Sequence, residues 1–118
     1  MPEQRANLTV TEQGAVSVVE FQDRKILEEV LIARIGEELG ELAEAKPSVR
    51  LLLSFKKVEH LSSAALGMLI TLHHQVKKQE GRLMLSDINP QIFQVFEITK
   101  LNRLFEIFPT SAQALAKA

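Results

Sequence analysis

The sequence predicts an α/β domain in which about four helices pack against a mixed, mostly parallel sheet of about four to five strands. Three observations predict it. Val49, Leu51, Leu52 and Leu53 form a continuous apolar run, the pattern of a strand buried on both faces. A polar turn (Lys56, Lys57, Glu59, His60) follows. Ser62 and Ser63 then open a helix whose positions Leu66, Leu69, Ile70, His73 and Val76 recur at helical spacing. Strand-like and helix-like segments alternate through most of the chain, which favours parallel strands joined by helical crossovers.

Taken in order, residues 1–7 read as a short flexible arm. Leu8–Gln13 and Gly14–Phe21 read as two strands joined by a tight turn at Gln13-Gly14, with both faces of the second partly apolar. Asp23 is placed to cap a helix spanning roughly Lys25 to Ala45. Its expected buried stripe is Ile26, Val30, Leu31, Ile35, Leu39 and Leu42, with the glutamates largely opposite. Gly36 and Gly40 each weaken that helix by about 1 kcal/mol relative to Ala, which leaves a kink or an early end open. Lys46-Pro47-Ser48 breaks it.

The strand over 49–54 and a helix over about 63–79 come next, and Gly81 is expected as a left-handed C-terminal cap. Arg82–Ser86 is a fourth strand. Asp87-Ile88-Asn89-Pro90 turns into a short helix, about Gln91 to Ile98, with Ile92, Val95 and Phe96 facing inward and Phe93 left open. Leu104–Phe108 is a fifth strand or extended segment, and Pro109-Thr110-Ser111 caps a final Ala-rich helix.

Length and composition bound the function. With 118 residues the chain makes one domain, 1–118, with a full core but not two. The 46% apolar and 25% charged residues match a globular average, and no apolar run approaches the roughly 20 residues of a membrane span. Met-Pro-Glu-Gln-Arg carries no signal-peptide core, which points to the cytoplasm. The lack of cysteine removes disulfides, thiolate metal sites and a Cys nucleophile together. A net charge of −1, scattered cations and no Trp or Tyr argue against nucleic acid as a direct partner.

Catalytic constellations are sparse. The five glycines form no phosphate loop. His73 and His74 project about 100° apart on a helix, so a metal centre with His60 is disfavoured, and no cofactor is implied. Ser63, His60 and Asp87 formally supply a hydrolytic triad, but the serine lacks the Gly-x-Ser-x-Gly elbow. The chain therefore reads as a non-enzyme. The Ser62–Ser63 pair remains. A serine before a helix is first of all an N-cap, contributing about 1 kcal/mol. The same place suits a charge switch, because a phosphate there meets the positive end of the helix dipole.

Val49–Ile70, then Gly81-Arg-Leu-Met-Leu-Ser-Asp-Ile-Asn-Pro90, then Phe96-Glu-Ile-Thr-Lys-Leu-Asn-Arg-Leu-Phe-Glu-Ile107 resemble the STAS domain of bacterial anti-sigma factor antagonists. The resemblance runs over about residues 8–115 in element order. That family reads as an apolar strand ending in Asp, then Asp-Ser-Ser/Thr-Gly-Leu-Gly opening a helix, then Gly-Gly-x-Leu-x-Leu and Leu-x-x-Thr-Gly-Leu-x-x-Leu-Phe. Aligning Leu66-Gly67 with its Leu-Gly puts Ser63 on the phosphorylated serine and Ser62 on the Asp. Aligning the serines instead makes Ser62 the acceptor and shifts the helix stripe by one. The first register keeps the buried face in phase and is preferred. The chain departs from the pattern at Ser54 and Ser62, where the family has Asp, and at Ala65, where it has Gly.

The resemblance implies a signalling module without catalysis. It would bind an anti-sigma factor that is also a serine kinase of the histidine-kinase-like ATPase type, and phosphorylation at Ser63 would release that partner. The implied contact surface is the Ser54–Leu66 region, with Ser54, Lys56, Glu59, His60, Ser62, Ser63 and Met68 as candidate contacts. The missing acids also admit an unphosphorylated scaffold or sensory module in a signalling assembly, with self-association. A small-ligand binder is the third reading.

Overall fold

The computed structural model describes the backbone of Glu3–Gln4 and residues 7–118 in full. Along the chain come β1 (Glu3–Gln4), β2 (Leu8–Gln13), β3 (Val16–Phe21), β4 (Lys25–Ile26), α1 (Glu29–Glu44), β5 (Arg50–Ser54) and β6 (His60–Leu61). Then follow α2 (Ser63–Lys78), β7 (Arg82–Ser86), α3 (Pro90–Ile98), a 3-10 turn at Leu101–Arg103, β8 (Glu106–Phe108) and α4 (Ser111–Lys117). Among the described residues the main sheet has the order β1-β2-β3-β5-β7-β8, and β4 and β6 form a separate two-stranded ribbon. The β1–β2 and β2–β3 pairs are antiparallel, whereas β3–β5, β5–β7 and β7–β8 are parallel. This is the mixed, mostly parallel α/β architecture that the alternation of elements predicts.

The apolar run 51–53 lies in the middle of the sheet, and side-chain alternation sends its leucines to opposite faces. Leu51 and Leu53 join Leu8, Val19 and Leu85 beneath α1, α2 and α3; Leu52 joins Val16 and Met84 beneath Ala114 and Leu115 of α4. All three leucines are fully buried. The hairpin also forms as expected, with Gln13 facing Val16 across a loop of Gly14 and Ala15. Gly14 takes φ +62, the left-handed backbone that glycine adopts without steric cost. Of the arm expected over 1–7, Glu3–Gln4 pairs with β2 and Asn7 leads into it; the remainder of that expectation lies outside the described residues.

Several local expectations are corrected. The first helix begins at Glu29 rather than near Lys25, because Lys25 and Ile26 stay extended to pair with His60 and Leu61. Asp23 is therefore no cap; its carboxylate accepts a hydrogen bond from the Asn7 amide at 3.1 Å. The buried stripe of α1 is Ile32, Ile35, Leu39 and Ala43, while Val30 stands 69% exposed. Gly36 and Gly40 do not interrupt the helix, which runs through both to Glu44. In α2 the buried position beside Leu69 is Leu72; Ile70 and His73 are half-buried. His73 rests edge-on against Phe105 at 5.4 Å, and burial holds its imidazole below the ordinary histidine value.

At the end of α2 the left-handed residue is Glu80, φ +60, not Gly81. The amides of Glu80 and Gly81 close the helix by donating to the carbonyls of Lys77 and Val76, at 3.0 and 2.8 Å. Val95 of α3 faces solvent, whereas Ile92 and Phe96 enter the core and Phe93 is half-buried. The last strand is confined to Glu106–Phe108, because the chain first makes the 3-10 turn. Thr110 caps α4 through Gln113 N–H.

A candidate partner site at the start of the second helix

The two serines divide the roles that the sequence left superimposed. Ser62 has extended backbone, and its hydroxyl oxygen accepts the Ala65 N–H at 3.1 Å. That is the capping geometry, which satisfies one of the orphan donors of the first turn. Ser62 also donates its own N–H to the Ile26 carbonyl at 3.1 Å, so the helix start is tied to β4. Ser63 is the first helical residue and is exposed, and no described residue takes its hydroxyl. Ser62→Ala is expected to destabilise the domain by about 1 kcal/mol, since it removes the cap. A thermal melt followed by circular dichroism would show it as a midpoint lower by about 3–5 °C.

The loop leading to these serines carries the other candidate contacts. Lys56, Glu59 and His60 are all exposed. Arg24 Nε approaches Glu59 Oε2 at 2.6 Å across the β4–β6 ribbon, and this hydrogen bond holds the Glu59 carboxyl below the usual carboxylate range. Buried Phe55 and Val58 pin the loop inward. Glu59 and His60 both donate backbone N–H groups to the Arg24 carbonyl, at 2.7 and 3.1 Å. Lys56, Glu59, His60 and Ser63 thus come from one short, anchored stretch.

Two candidates sit elsewhere. Met68 is half-buried and packs toward α1, where a Cβ added at Gly36 would come within 3.2 Å of its Cγ. It contributes to the seam between the helices and only in part to the surface. Ser54 is 4% exposed, and its hydroxyl donates to Asp87 Oδ2 at 3.2 Å. It reaches the surface only through the loop it anchors.

Sequence reasoning missed what surrounds Ser54. Asp87, with φ +59, directs Oδ2 at three hydroxyls: Ser54, Ser86 at 2.8 Å and Ser111 at 2.6 Å. The carboxylate therefore serves the ends of β5 and β7 and the start of α4, rather than Ser63 and His60 as a triad would require. Nothing local in the sequence signals the cluster, because Ser54 and Ser111 lie 33 and 24 positions from Asp87. Asn89 was also missed as a functional side chain, although Asn before Pro is a recognisable helix-start signal. Its Oδ1 accepts the Ile92 N–H at 2.8 Å, capping α3. Among the described residues no group of acidic and histidine side chains is arranged to hold a metal ion, and no helix is long and apolar enough to cross a membrane.

Comparison with known proteins agrees with this architecture. The chain is 34% identical over 73 residues to the anti-sigma-B factor antagonist of Bacillus subtilis (strain 168), a match covering 62% of this chain and 65% of that protein. It is 21% identical over 100 residues to the anti-sigma F factor antagonist of Paenibacillus polymyxa, covering 75% and 86% of the two chains. In structure it resembles an anti-sigma-factor antagonist (STAS) domain protein from Planctomyces limnophilus, with a TM-score of 0.85, 20% identity, and coverage of 98% of this chain and 100% of the other. The STAS domain model matches residues 8–114, from the start of β2 into α4, and the same elements are in place here: this chain belongs to the STAS domain family.

Proposed function

We propose that the chain is a non-catalytic signalling module that binds an anti-sigma factor through the loop before α2 and the start of that helix. The partner is of the kind that is also a serine kinase built on a histidine-kinase-like ATPase, and the module works in the cytoplasm beside it. A phosphate on Ser63 releases the partner. One observation carries this reading: capping is done by Ser62, which leaves the neighbouring Ser63 hydroxyl exposed at the positive end of α2. A phosphate there meets favourable backbone dipoles within its own fold, yet adds nearly two negative charges to a docking surface. The relatives named as anti-sigma factor antagonists support the choice of partner class.

The test compares Ser63→Ala and Ser63→Asp in titrations against a kinase-type anti-sigma factor from the same cells. The Ala variant should bind as the unmodified protein does, and the Asp variant should bind at least about tenfold more weakly, roughly 1.4 kcal/mol. Equal binding by both would reject the switch. Intact mass of the protein isolated with phosphatases blocked should show one phosphate, and fragmentation should place it on Ser63. A phosphate on Ser62 would instead require the cap to be given up.

A second reading is favoured by the departures at Ser54, Ser62 and Ala65, which replace the acids and glycine of the family pattern. In that reading the module is a constitutive scaffold, assembling with other signalling domains and with itself, and is never phosphorylated. Absence of phosphate under several growth conditions, together with unmodified binding, would select it.

A further inference from the structure

The connection from β7 to α3, Asp87-Ile88-Asn89, touches the candidate partner loop at both ends. At the near end Asp87 Oδ2 accepts the Ser54 hydroxyl, and Phe55 N–H donates to the Ser86 carbonyl at 2.9 Å. At the far end the Asn89 amide nitrogen lies 3.2 Å from the Val58 carbonyl oxygen and 3.4 Å from that of Glu59. The same side chain uses its oxygen to cap α3. One asparagine therefore joins the start of α3 to the loop that presents Glu59, His60 and the serines.

We infer that Asn89 is a positioning residue for the partner-binding loop, distinct from its role as a helix cap. Its two functions belong to different atoms. The carbonyl oxygen stabilises α3; the amide N–H groups hold the carbonyls of Val58 and Glu59 and so fix the path from Phe55 to Ser62. The loop is also secured at its far side by backbone bonds to the carbonyls of Arg24 and Ile26 and by the exposed Arg24–Glu59 ion pair, with Val58 buried beneath it. Releasing the amide lets residues 58–60 open without unfolding the helix behind them. This inference rests on the reading of that loop as the docking surface, but the positioning itself is measurable with no partner present.

The separation of atoms supplies the experiment. Asn89→Asp and Asn89→Ser both keep a good capping oxygen and both lose the amide donor. Asn89→Ala loses both. Amide hydrogen exchange of the full chain, resolved at Glu59, His60 and Ser62, reads the loop, because those three N–H groups are bonded to Arg24 and Ile26. In the Asp and Ser variants their exchange should rise by about fivefold to tenfold, the loss of one ordinary hydrogen bond. The melting midpoint should fall by about 3–5 °C, the same loss read globally, while amides of α3 that exchange by local opening should stay near those of the unmodified protein. In the Ala variant α3 should loosen as well. The Ser variant also guards against charge repulsion beside Glu59 as the sole cause. Unchanged exchange at all three positions in both capping variants would overturn the inference. Failure of the partner reading would leave this exchange result as it stands.

Discussion

Replacing Asp87 by Ala should lower the melting midpoint by about 8–12 °C, the equivalent of about 2–3 kcal/mol. The reason lies in what the substitution strands. Ser54 and Ser86 are 4% and 0% exposed, and each directs its hydroxyl at Asp87 Oδ2. Ser111, the first residue of α4, does the same at 2.6 Å. Removing the shared acceptor leaves buried donors unsatisfied, at about 1–3 kcal/mol apiece before relaxation. The hydroxyls can rotate, and Ser86 and Ser111 already lie 2.9 Å apart, so the sum is less than three full penalties. Alanine must also adopt φ +59, which strains a Cβ-bearing residue without a short polar side chain. Asp87→Asn is the informative control. It keeps an acceptor oxygen, tolerates the left-handed backbone and should lose less than half as much. Equal losses in the two variants would mean that a neutral acceptor oxygen does not hold the cluster and its charge is required; an unchanged midpoint in Asp87→Ala would mean that the carboxylate is not what organises it.

Gly81→Ala should cost a comparable amount, about 3 kcal/mol, for a purely steric reason. A Cβ there would lie 2.5 Å from the Val49 carbonyl oxygen and 2.9 Å from Val76 Cγ1. Neither contact can swing away. The Val49 carbonyl accepts the Arg82 N–H at 2.7 Å, where β7 begins beside β5, and the Gly81 N–H closes α2 onto Val76. Relief requires parting two central strands or unwinding the helix end. Gly67→Ala is the counterpart. Nothing lies within 4 Å of its Cβ position, in the exposed middle of α2, so this change should stabilise by about 0.5–1 kcal/mol through helix propensity alone. Urea unfolding of the two variants should move the midpoints in opposite directions. A neutral Gly81→Ala would mean that β5 and β7 approach less closely than the structure has them.

Much of the fold is legible in the chain because burial leaves a period. The run 51–53 is apolar at every position, so it must be covered on both sides, and it is. The hairpin is announced by glycine, and α2 by a capping serine followed by a helical stripe. Helix α1 shows where that legibility stops. With Val30, the apolar residues Leu31, Ile32, Ile35, Leu39 and Leu42 spread over about 200° of the circumference, and the sequence has no means of choosing the centre of the stripe. Packing against α2 selects Ile32, Ile35, Leu39 and Ala43. The start of that helix is delayed by a strand pairing with residues 35 positions away, Lys25 with His60.

The candidate site divides in the same way. Local order makes Ser62 and Ser63 visible as a helix start, because capping involves residues only three positions apart. Which serine caps and which is free depends on the backbone angle at the helix entry, set by the tie from Ser62 to Ile26. Ser54 shows the stronger limit. Read along the chain, it is a serine where the family pattern has an acid. In the folded protein a carboxylate does stand at that strand end, contributed by Asp87 from the neighbouring strand's exit, 3.2 Å away.

The sequence by itself determined the α/β class, the doubly buried central strand, the family resemblance and the serine pair at the mouth of a helix. Each rests on interactions between near neighbours or on the average cost of exposing apolar surface. Only the tertiary structure decided the face of α1, the closure at Gly81, the serines gathered on Asp87 and the double duty of Asn89. Those are contacts between residues far apart in the chain, and a hydrogen bond or a steric clash depends on tenths of an ångström that no periodicity encodes.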